Sequence, residues 1–183
     1  MFSKYLFGCF CIIFLIINSA STNPLGSYVP INDKDLIFSF LPSTMKLQRY
    51  EDSLYYFGTI FKGNFFQSMQ FCKYHGMDLV SIDNKEENNF IYDFLSGFLS
   101  SGDYLFWSSG VKTEPDNHWV WMGTGKPMTY INWLPGQPGN TANERYMEIR
   151  YVNGNRGMVF NDQIAGQANH VICEISVPRA VGL

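Results

Sequence analysis

The sequence has few charged residues and no excess of basic ones. Charged residues make up 16% of its 183 residues, with 13 Lys and Arg against 16 Asp and Glu. A nucleic-acid-binding domain needs a basic patch, which this balance does not supply, and a disordered chain carries more charge and fewer apolar residues. The length predicts a single globular domain with a short extension.

Motifs for catalysis are also missing. The sequence contains no HExxH, GxSxG or P-loop pattern, and His75, His118 and His170 share no metal-ligand spacing with a cysteine or with one another. An enzyme needs a placed nucleophile, base or catalytic metal. The sequence therefore favours a binding protein over an enzyme.

One apolar run stands near the N-terminus. It covers residues 6–17, follows Lys4, and is followed by small residues at 19–21. This order is typical of a secretory signal peptide, whereas a membrane span needs roughly 20 apolar residues. We expect residues 1–20 to be a signal peptide and the mature chain to be secreted without a membrane span. An uncleaved anchor is the alternative.

Cysteine is scarce in the expected mature chain. Cys9 and Cys11 lie in the expected signal peptide, which leaves Cys72 and Cys173. Outside the cell two remaining cysteines pair most simply with each other, and closing a loop of about 100 residues is worth roughly 4.7 kcal/mol in loop entropy. Two unpaired thiols are the alternative. No cysteine is left for a bridge between chains.

The chain divides unevenly along its length. Residues 21–53 are rich in proline and lack periodicity, so we expect an N-terminal extension there, with residues 36–41 packing on the domain. We expect the domain over residues 54–177 and a short tail over 178–183.

Two helices are predicted near the start of the domain. Asn64 caps the first, which stops before Gly76. The second begins at the capping-box-like pair Asn84 and Glu87 and ends at Gly102. Its apolar residues lie on one helical face: Phe90, Ile91, Phe94, Leu95, Phe98 and Leu99.

Short strands and one long polar loop make up the rest. The loop covers residues 123–143, and Asn153-Gly154 indicates a hairpin turn. The strands are expected at residues 55–60, 79–82, 104–109, 119–122, 146–152, 157–160 and 170–176. This order indicates an α+β fold with two helices packed against antiparallel sheet.

Six short motifs follow one another along the chain: FCKYHGMDLVSI (71–82), FWSSG (106–110), NWLPGQPGN (132–140), NERYMEI (143–149), FND (160–162) and HVICE (170–174). In this order they resemble the motifs of the C-type lectin-like domain, especially the short secreted C-type lectins of insects. The resemblance covers residues 55–175. It implies that family's fold, with two helices on small antiparallel sheets and a long polar loop for calcium and ligand.

The chain departs from the family pattern at its second disulfide and at its Trp-Asn-Asp motif. Tyr146 and Ala165 stand where the family has its second disulfide, so both partners of that bridge are missing together. Phe160 stands where the family's Trp-Asn-Asp motif has tryptophan. The end of the polar loop is therefore expected to be less tightly constrained than in the family.

The resemblance places five positions in a calcium site: Gln137, Gly139, Glu144, Asn161 and Asp162. Gly139 supplies no side chain, so the expected ligands of both calcium and carbohydrate are the other four. Calcium prefers six to eight oxygen ligands, and fewer charged ligands weaken its binding. We therefore expect weak calcium binding. The alternative is a polar loop held by hydrogen bonds alone.

The same resemblance implies a conformation or a role for residues near these five positions. It implies a cis peptide at Pro138 and, from Gln137, a galactose-type sugar. Trp133 and Tyr130 are expected in the core rather than stacked on sugar. The family's auxiliary calcium ion is not expected, because Lys112 stands near a position where an acid is often found.

Together these features predict a secreted, weakly calcium-dependent lectin. The resemblance implies recognition of glycans on cell or microbial surfaces, with a role in innate immunity. A calcium-independent, protein-binding C-type lectin-like domain is the alternative.

Overall fold

The computed structural model describes residues 45–99, 102, 104–115, 118–155 and 157–177. The expected signal peptide, the segment 36–41 and the tail 178–183 lie outside the described residues. The part described is an α+β unit built from two helices and a mixed sheet. The predicted fold class is confirmed.

In the described part of the chain, strands and helices are interspersed up to the second helix, and every later element is a strand. In chain order they are β1 (Leu47–Tyr50), β2 (Ser53–Gly63), α1 (Phe65–Tyr74), β3 (Asp78–Leu79), α2 (Lys85–Ser96), β4 (Tyr104–Lys112), β5 (Trp119–Trp121), β6 (Lys126–Pro127), β7 (Tyr146–Tyr151), β8 (Val159–Gln163) and β9 (Asn169–Ser176).

Strand β9 is the centre of the sheet. The strand order is β1-β2-β9-β4-β5-β6, β3 also pairs with β9, and β7 joins β4 to β8. β9 runs antiparallel to β2 but parallel to β4, where Phe106 pairs with His170 and Trp107 with Val171. The sheet is therefore mixed, whereas the sequence predicted antiparallel pairing, because alternation along a strand does not reveal the direction of its neighbour.

The first helix has the predicted boundaries. The Asn64 side chain accepts a hydrogen bond from the Gln67 backbone N–H at 2.9 Å, and the Gln67 side chain accepts from the Asn64 N–H at 3.0 Å. Gly76 has a φ of 69°, a left-handed conformation that favours glycine after a helix end. The buried face of α1 includes Phe65 and Cys72.

The second helix starts as predicted but ends earlier. Asn84 accepts from the Glu87 backbone N–H at 2.8 Å, while the Glu87 side chain accepts from Asp83 rather than from Asn84. Helix α2 stops at Ser96 with Gly97 as its C-cap, so the predicted end at Gly102 is wrong. Glycine is a poor helix former. The chain turns there through hydrogen bonds that reach back three residues, from the Gly97 N–H to the Phe94 carbonyl at 3.3 Å and from the Phe98 N–H to the Leu95 carbonyl at 3.1 Å.

The sheet begins before residue 54. Strand β1 lies in the segment expected as an extension, and Leu47 pairs with Tyr56 of β2. At the other end of the domain, the Val177 N–H donates to the Asp52 carbonyl at 2.6 Å. The first and last described segments are therefore joined by backbone hydrogen bonds.

Two apolar clusters fill the interior. The larger lies between α2 and the strands and includes Phe106, Trp121 and Phe160, all fully buried. The smaller surrounds the disulfide, which confirms the predicted pairing: Cys72 and Cys173 are bonded across a sequence separation of 101 residues. Within the described ranges, no helix has the length and apolar character needed to cross a bilayer.

Candidate functional site

One carboxylate of strand β8 fixes residues 139 and 140 of the long polar loop between β6 and β7. Asp162 accepts hydrogen bonds from the Gly139 N–H at 2.7 Å and from the Asn140 N–H at 2.9 Å. Asp162 is buried, so these bonds form away from competing water. The Gln137–Pro138 peptide next to them is cis, as predicted.

Three side-chain oxygens converge beside Gly139. A Cβ atom at Gly139 would lie 3.2 Å from Gln137 Oε1, 3.3 Å from Glu144 Oε2 and 3.7 Å from Asp162 Oδ1. Gln137 and Glu144 lie in the polar loop and Asp162 lies in β8. The hydrogen bonds from the Gly139 and Asn140 N–H groups to the Asp162 carboxylate hold the loop and the strand together. Gly139 adds no side-chain oxygen to this group, and a Cβ there would lie closer to the Gln137 and Glu144 oxygens than an ordinary van der Waals contact.

The fourth predicted ligand has a different environment. Asn161 is buried on β8 and pairs across the sheet with Glu148 of β7, to which its amide nitrogen donates at 3.2 Å. The fully buried Glu148 also accepts from Asn169 at 2.9 Å and from Arg150 at 2.7 Å. Asn161 is thus part of an interior polar network and is not among the three oxygens nearest to Gly139; as a ligand it stays a prediction.

The chemistry of the donor set fits a hard divalent cation. Two carboxylates and an amide oxygen are ligand types that calcium takes, and two negative charges balance the ion. In the described residues, no group of three or more His, Cys, Asp or Glu side chains is arranged to hold a metal. The loop therefore offers fewer charged ligands than a strong calcium site.

The aromatic residues of the loop pack inward. The Trp133 ring meets Phe160 edge-on with centroids 6.2 Å apart and Trp119 with centroids 5.2 Å apart. Tyr130 also meets Phe160 edge-on, and its hydroxyl accepts from Asn88 Nδ2 at 2.9 Å. Both aromatic residues are half-buried and pack against the larger apolar cluster, at the edge of the core in which they were predicted to lie.

A cleft beside the loop was not predicted from the sequence. It has a volume of about 340 Å³ and is lined by Lys112, Asn140, Thr141, Ala142 and Arg145. From the sequence, Lys112 counts only against an auxiliary calcium ion, and Arg145 has no predicted role. The two residues come together only through the pairing of β4 with the start of β7, and isolated basic residues give no sign of such pairing.

A second polar cavity lies at the start of α2. There Glu87 accepts from the Tyr55 hydroxyl at 2.6 Å and from the Asp83 N–H at 2.8 Å. Burial and, to a smaller extent, the charges of Glu174 and Asp83 raise the pKa of Glu87 to about 7, against the effect of its hydrogen bonds. Burial also raises the pKa of Glu174, while Lys126, 2.7 Å from Asp83, opposes this rise.

The chain matches the family description "Lectin C-type domain" over residues 62–175. Perlucin of Haliotis laevigata is 34% identical over 123 residues, which are 67% of this chain and 76% of perlucin. Salivary C-type lectin 2 of Aedes albopictus is 22% identical over 111 residues, 58% of this chain and 74% of that protein.

Solved structures share the fold. The Ca²⁺-independent C-type lectin SPL-2 from Saxidomus purpuratus superposes with a TM-score of 0.59 and 28% identity, over 75% of this chain and 94% of SPL-2.

Proposed function

The chain belongs to the C-type lectin domain family, and from that membership we propose that it is a secreted lectin that binds galactose-type carbohydrate with the help of a weakly held calcium ion. The convergence of Gln137, Glu144 and Asp162 oxygens beside Gly139 carries the proposal. Binding, not catalysis, is the function that this arrangement supports.

Each of the three residues has a separate part in the proposed site. Glu144 and Asp162 would supply the negative charge and Gln137 a neutral oxygen to calcium, with Asn161 as the predicted fourth ligand. When bound, calcium would take two adjacent sugar hydroxyls into its shell. Asp162 also holds the loop backbone in place, so the loop is organised before any ligand arrives.

The weakness of calcium binding follows from the charge count. Only two carboxylates are assigned to the site, and Gly139 offers no side-chain oxygen. Calcium affinity falls as charged ligands are lost, toward dissociation constants of about 10⁻⁴–10⁻³ M in extracellular modules. Such affinity suffices where extracellular calcium is plentiful.

Secretion is consistent with the disulfide between Cys72 and Cys173, since such bonds persist in oxidising compartments. Recognition of microbial surface glycans in innate defence is the biological role that we attach to this activity. It rests on family analogy, and agglutination of bacteria by the secreted protein in calcium buffer tests it.

Retention on sugar resins tests the biochemical proposal. The mature protein is passed over galactose and mannose resins with calcium and then with a chelator. We expect retention on galactose that the chelator abolishes. The Asp162→Asn variant should lose retention, whereas the control Asp93→Asn, an exposed change on α2, should keep it.

One observation favours a second candidate function, calcium-independent binding. The Asp162 carboxylate is already occupied by two backbone N–H groups, so the loop needs no ion to hold its shape. SPL-2, a solved relative, is described as Ca²⁺-independent. Galactose retention that survives the chelator would establish this candidate. Absence of retention on any glycan would favour a protein ligand instead.

A further inference from the structure

The cleft lies beside the calcium loop, which is the part of the polar loop around Gly139 that carries the proposed ion site. It is lined by two cations and by no acidic side chain. Lys112 ends β4 and Arg145 precedes β7, and a backbone hydrogen bond of 2.9 Å from the Lys112 N–H to the Arg145 carbonyl joins them. Their side chains therefore project from neighbouring points of one small surface. At about 340 Å³ the cleft lies at the lower end of the usual range for ligand pockets.

Both cations are held in place by local contacts. Lys112 Nζ donates to Asn140 Oδ1 at 3.0 Å, and Arg145 Nε donates to the Ala142 carbonyl at 3.3 Å. Arg145 also pairs with Glu114, whose side chain is 65% exposed. In the part of the chain that the structure describes, Lys112 is in no ion pair. The cleft thus keeps a positive charge with unused N–H donors.

The cleft adjoins the proposed sugar site. Asn140 follows Gly139 in the chain, and Arg145 follows Glu144. A glycan whose terminal ring lies at the calcium loop can therefore reach Lys112 and Arg145 with a substituent or with its next ring. Charged N–H donors of this kind bind sulfate and carboxylate groups through strong, charge-assisted hydrogen bonds.

We infer that Lys112 and Arg145 form an anion subsite that selects glycans carrying a sulfate or carboxylate group next to the galactose-type ring. This inference rests on the proposed lectin function. The two cations determine specificity: the neutral ring binds at the calcium loop, and the negative substituent raises affinity at the cleft.

Binding of matched probes by the mature protein tests the inference. The probes are polymers bearing galactose, sulfated galactose or galacturonic acid, measured in calcium buffer at low and high salt. Sulfated galactose and galacturonic acid separate the two anion types. We expect at least one anionic probe to bind about fivefold tighter than galactose, with the difference shrinking at high salt because exposed charges are screened.

Two variants connect the preference to the cleft. Lys112→Gln and Arg145→Gln should each remove most of the preference while galactose binding stays within about twofold of the native value. The control Lys85→Gln, an exposed lysine at the start of α2, should change neither.

The outcomes distinguish this inference from the proposed function. Equal binding of all three probes by the native protein, or an unchanged preference in Lys112→Gln, overturns the subsite and leaves the lectin function intact. Failure of the native protein to bind any of the probes overturns both. Binding of an anionic probe alone, with chelator present, supports the subsite and overturns the calcium mechanism.

Discussion

The ring centroids of Phe65 and Tyr146 lie 4.4 Å apart, where the first turn of α1 meets the start of β7. Tyr146 also contacts Phe66 edge-on at 5.7 Å. Ala165 packs on the same cluster, and its carbonyl accepts from the Phe65 N–H at 2.9 Å. The two positions that carry a disulfide in the resembling family are here connected through Phe65 instead.

This arrangement predicts that the second disulfide can be introduced. The variant Tyr146→Cys with Ala165→Cys closes a loop of about 20 residues, which is worth roughly 3 kcal/mol. The aromatic contacts that Tyr146 loses cost about 0.5–1.5 kcal/mol each beyond buried area, so the matched control is Tyr146→Ser with Ala165→Ser. We expect the cysteine variant to be about 3 kcal/mol more stable than this control in urea unfolding. Free thiols in its mass spectrum, or equal stability, would contradict the prediction.

Helix starts could be predicted from sequence because their chemistry is local. Asn64 with Gln67, and Asn84 with Glu87, form their capping bonds within three residues. The end of α2 could not be predicted in the same way. The apolar pattern in the sequence continues past Gly97, but the helix ends at Ser96 and Phe98 is half exposed. The path of the chain after Gly97 depends on tertiary contacts, which the local pattern does not show.

In the candidate site, too, the features set by local motifs could be predicted and those set by tertiary pairing could not. The family motifs indicated Gln137, Glu144 and Asp162, and the structure brings their oxygens together. The pairing of Asn161 with Glu148 depends on the register between β7 and β8. No local pattern reports that register, so the interior network was not predicted.

Stability should decrease between pH 5 and pH 8 because of Glu87. Burial raises the pKa of Glu87 from an ordinary value of 4.5 to about 7. Between these two pH values the folded state keeps a proton on Glu87 that the unfolded state has already lost. This contribution is complete below pH 4.5 and is lost as the pH rises through 7, with a size on the order of 2 kcal/mol.

The Glu87→Gln variant isolates that effect. Urea unfolding at several pH values should show a flatter dependence in Glu87→Gln than in the native protein. Glu86→Gln, an exposed change at the next position of α2, should retain the native slope. A native slope in Glu87→Gln would assign the pH dependence to other groups.

Asn88 should be essential for stability. Its side chain is fully buried; it donates to the Tyr130 hydroxyl and to the Met158 carbonyl and accepts from the Met158 N–H, all within 3.0 Å. Asn88→Ala leaves buried polar groups unpaired, which costs about 2–4 kcal/mol. Thermal and urea unfolding measure the loss, with Asp93→Ala on the exposed face of α2 as the control. A loss below 1 kcal/mol would indicate that water replaces the amide.

Gly139→Asp should strengthen calcium binding. The new Cβ would meet Gln137 Oε1 at 3.2 Å and Glu144 Oε2 at 3.3 Å, the ends of side chains that can move slightly. A third carboxylate then adds charge beside Glu144 and Asp162, so affinity rises, by about tenfold, and the metal-free protein loses stability through repulsion among the three.

The control for this prediction is Gly139→Ala, which fills the same space without adding an oxygen. Calorimetric titration with calcium should show tighter binding in Gly139→Asp than in the native protein and no gain in Gly139→Ala. Unfolding in the presence of chelator should show Gly139→Asp to be the less stable of the two variants. Equal calcium affinity in both variants would place the ion away from Gly139 and contradict the proposed site.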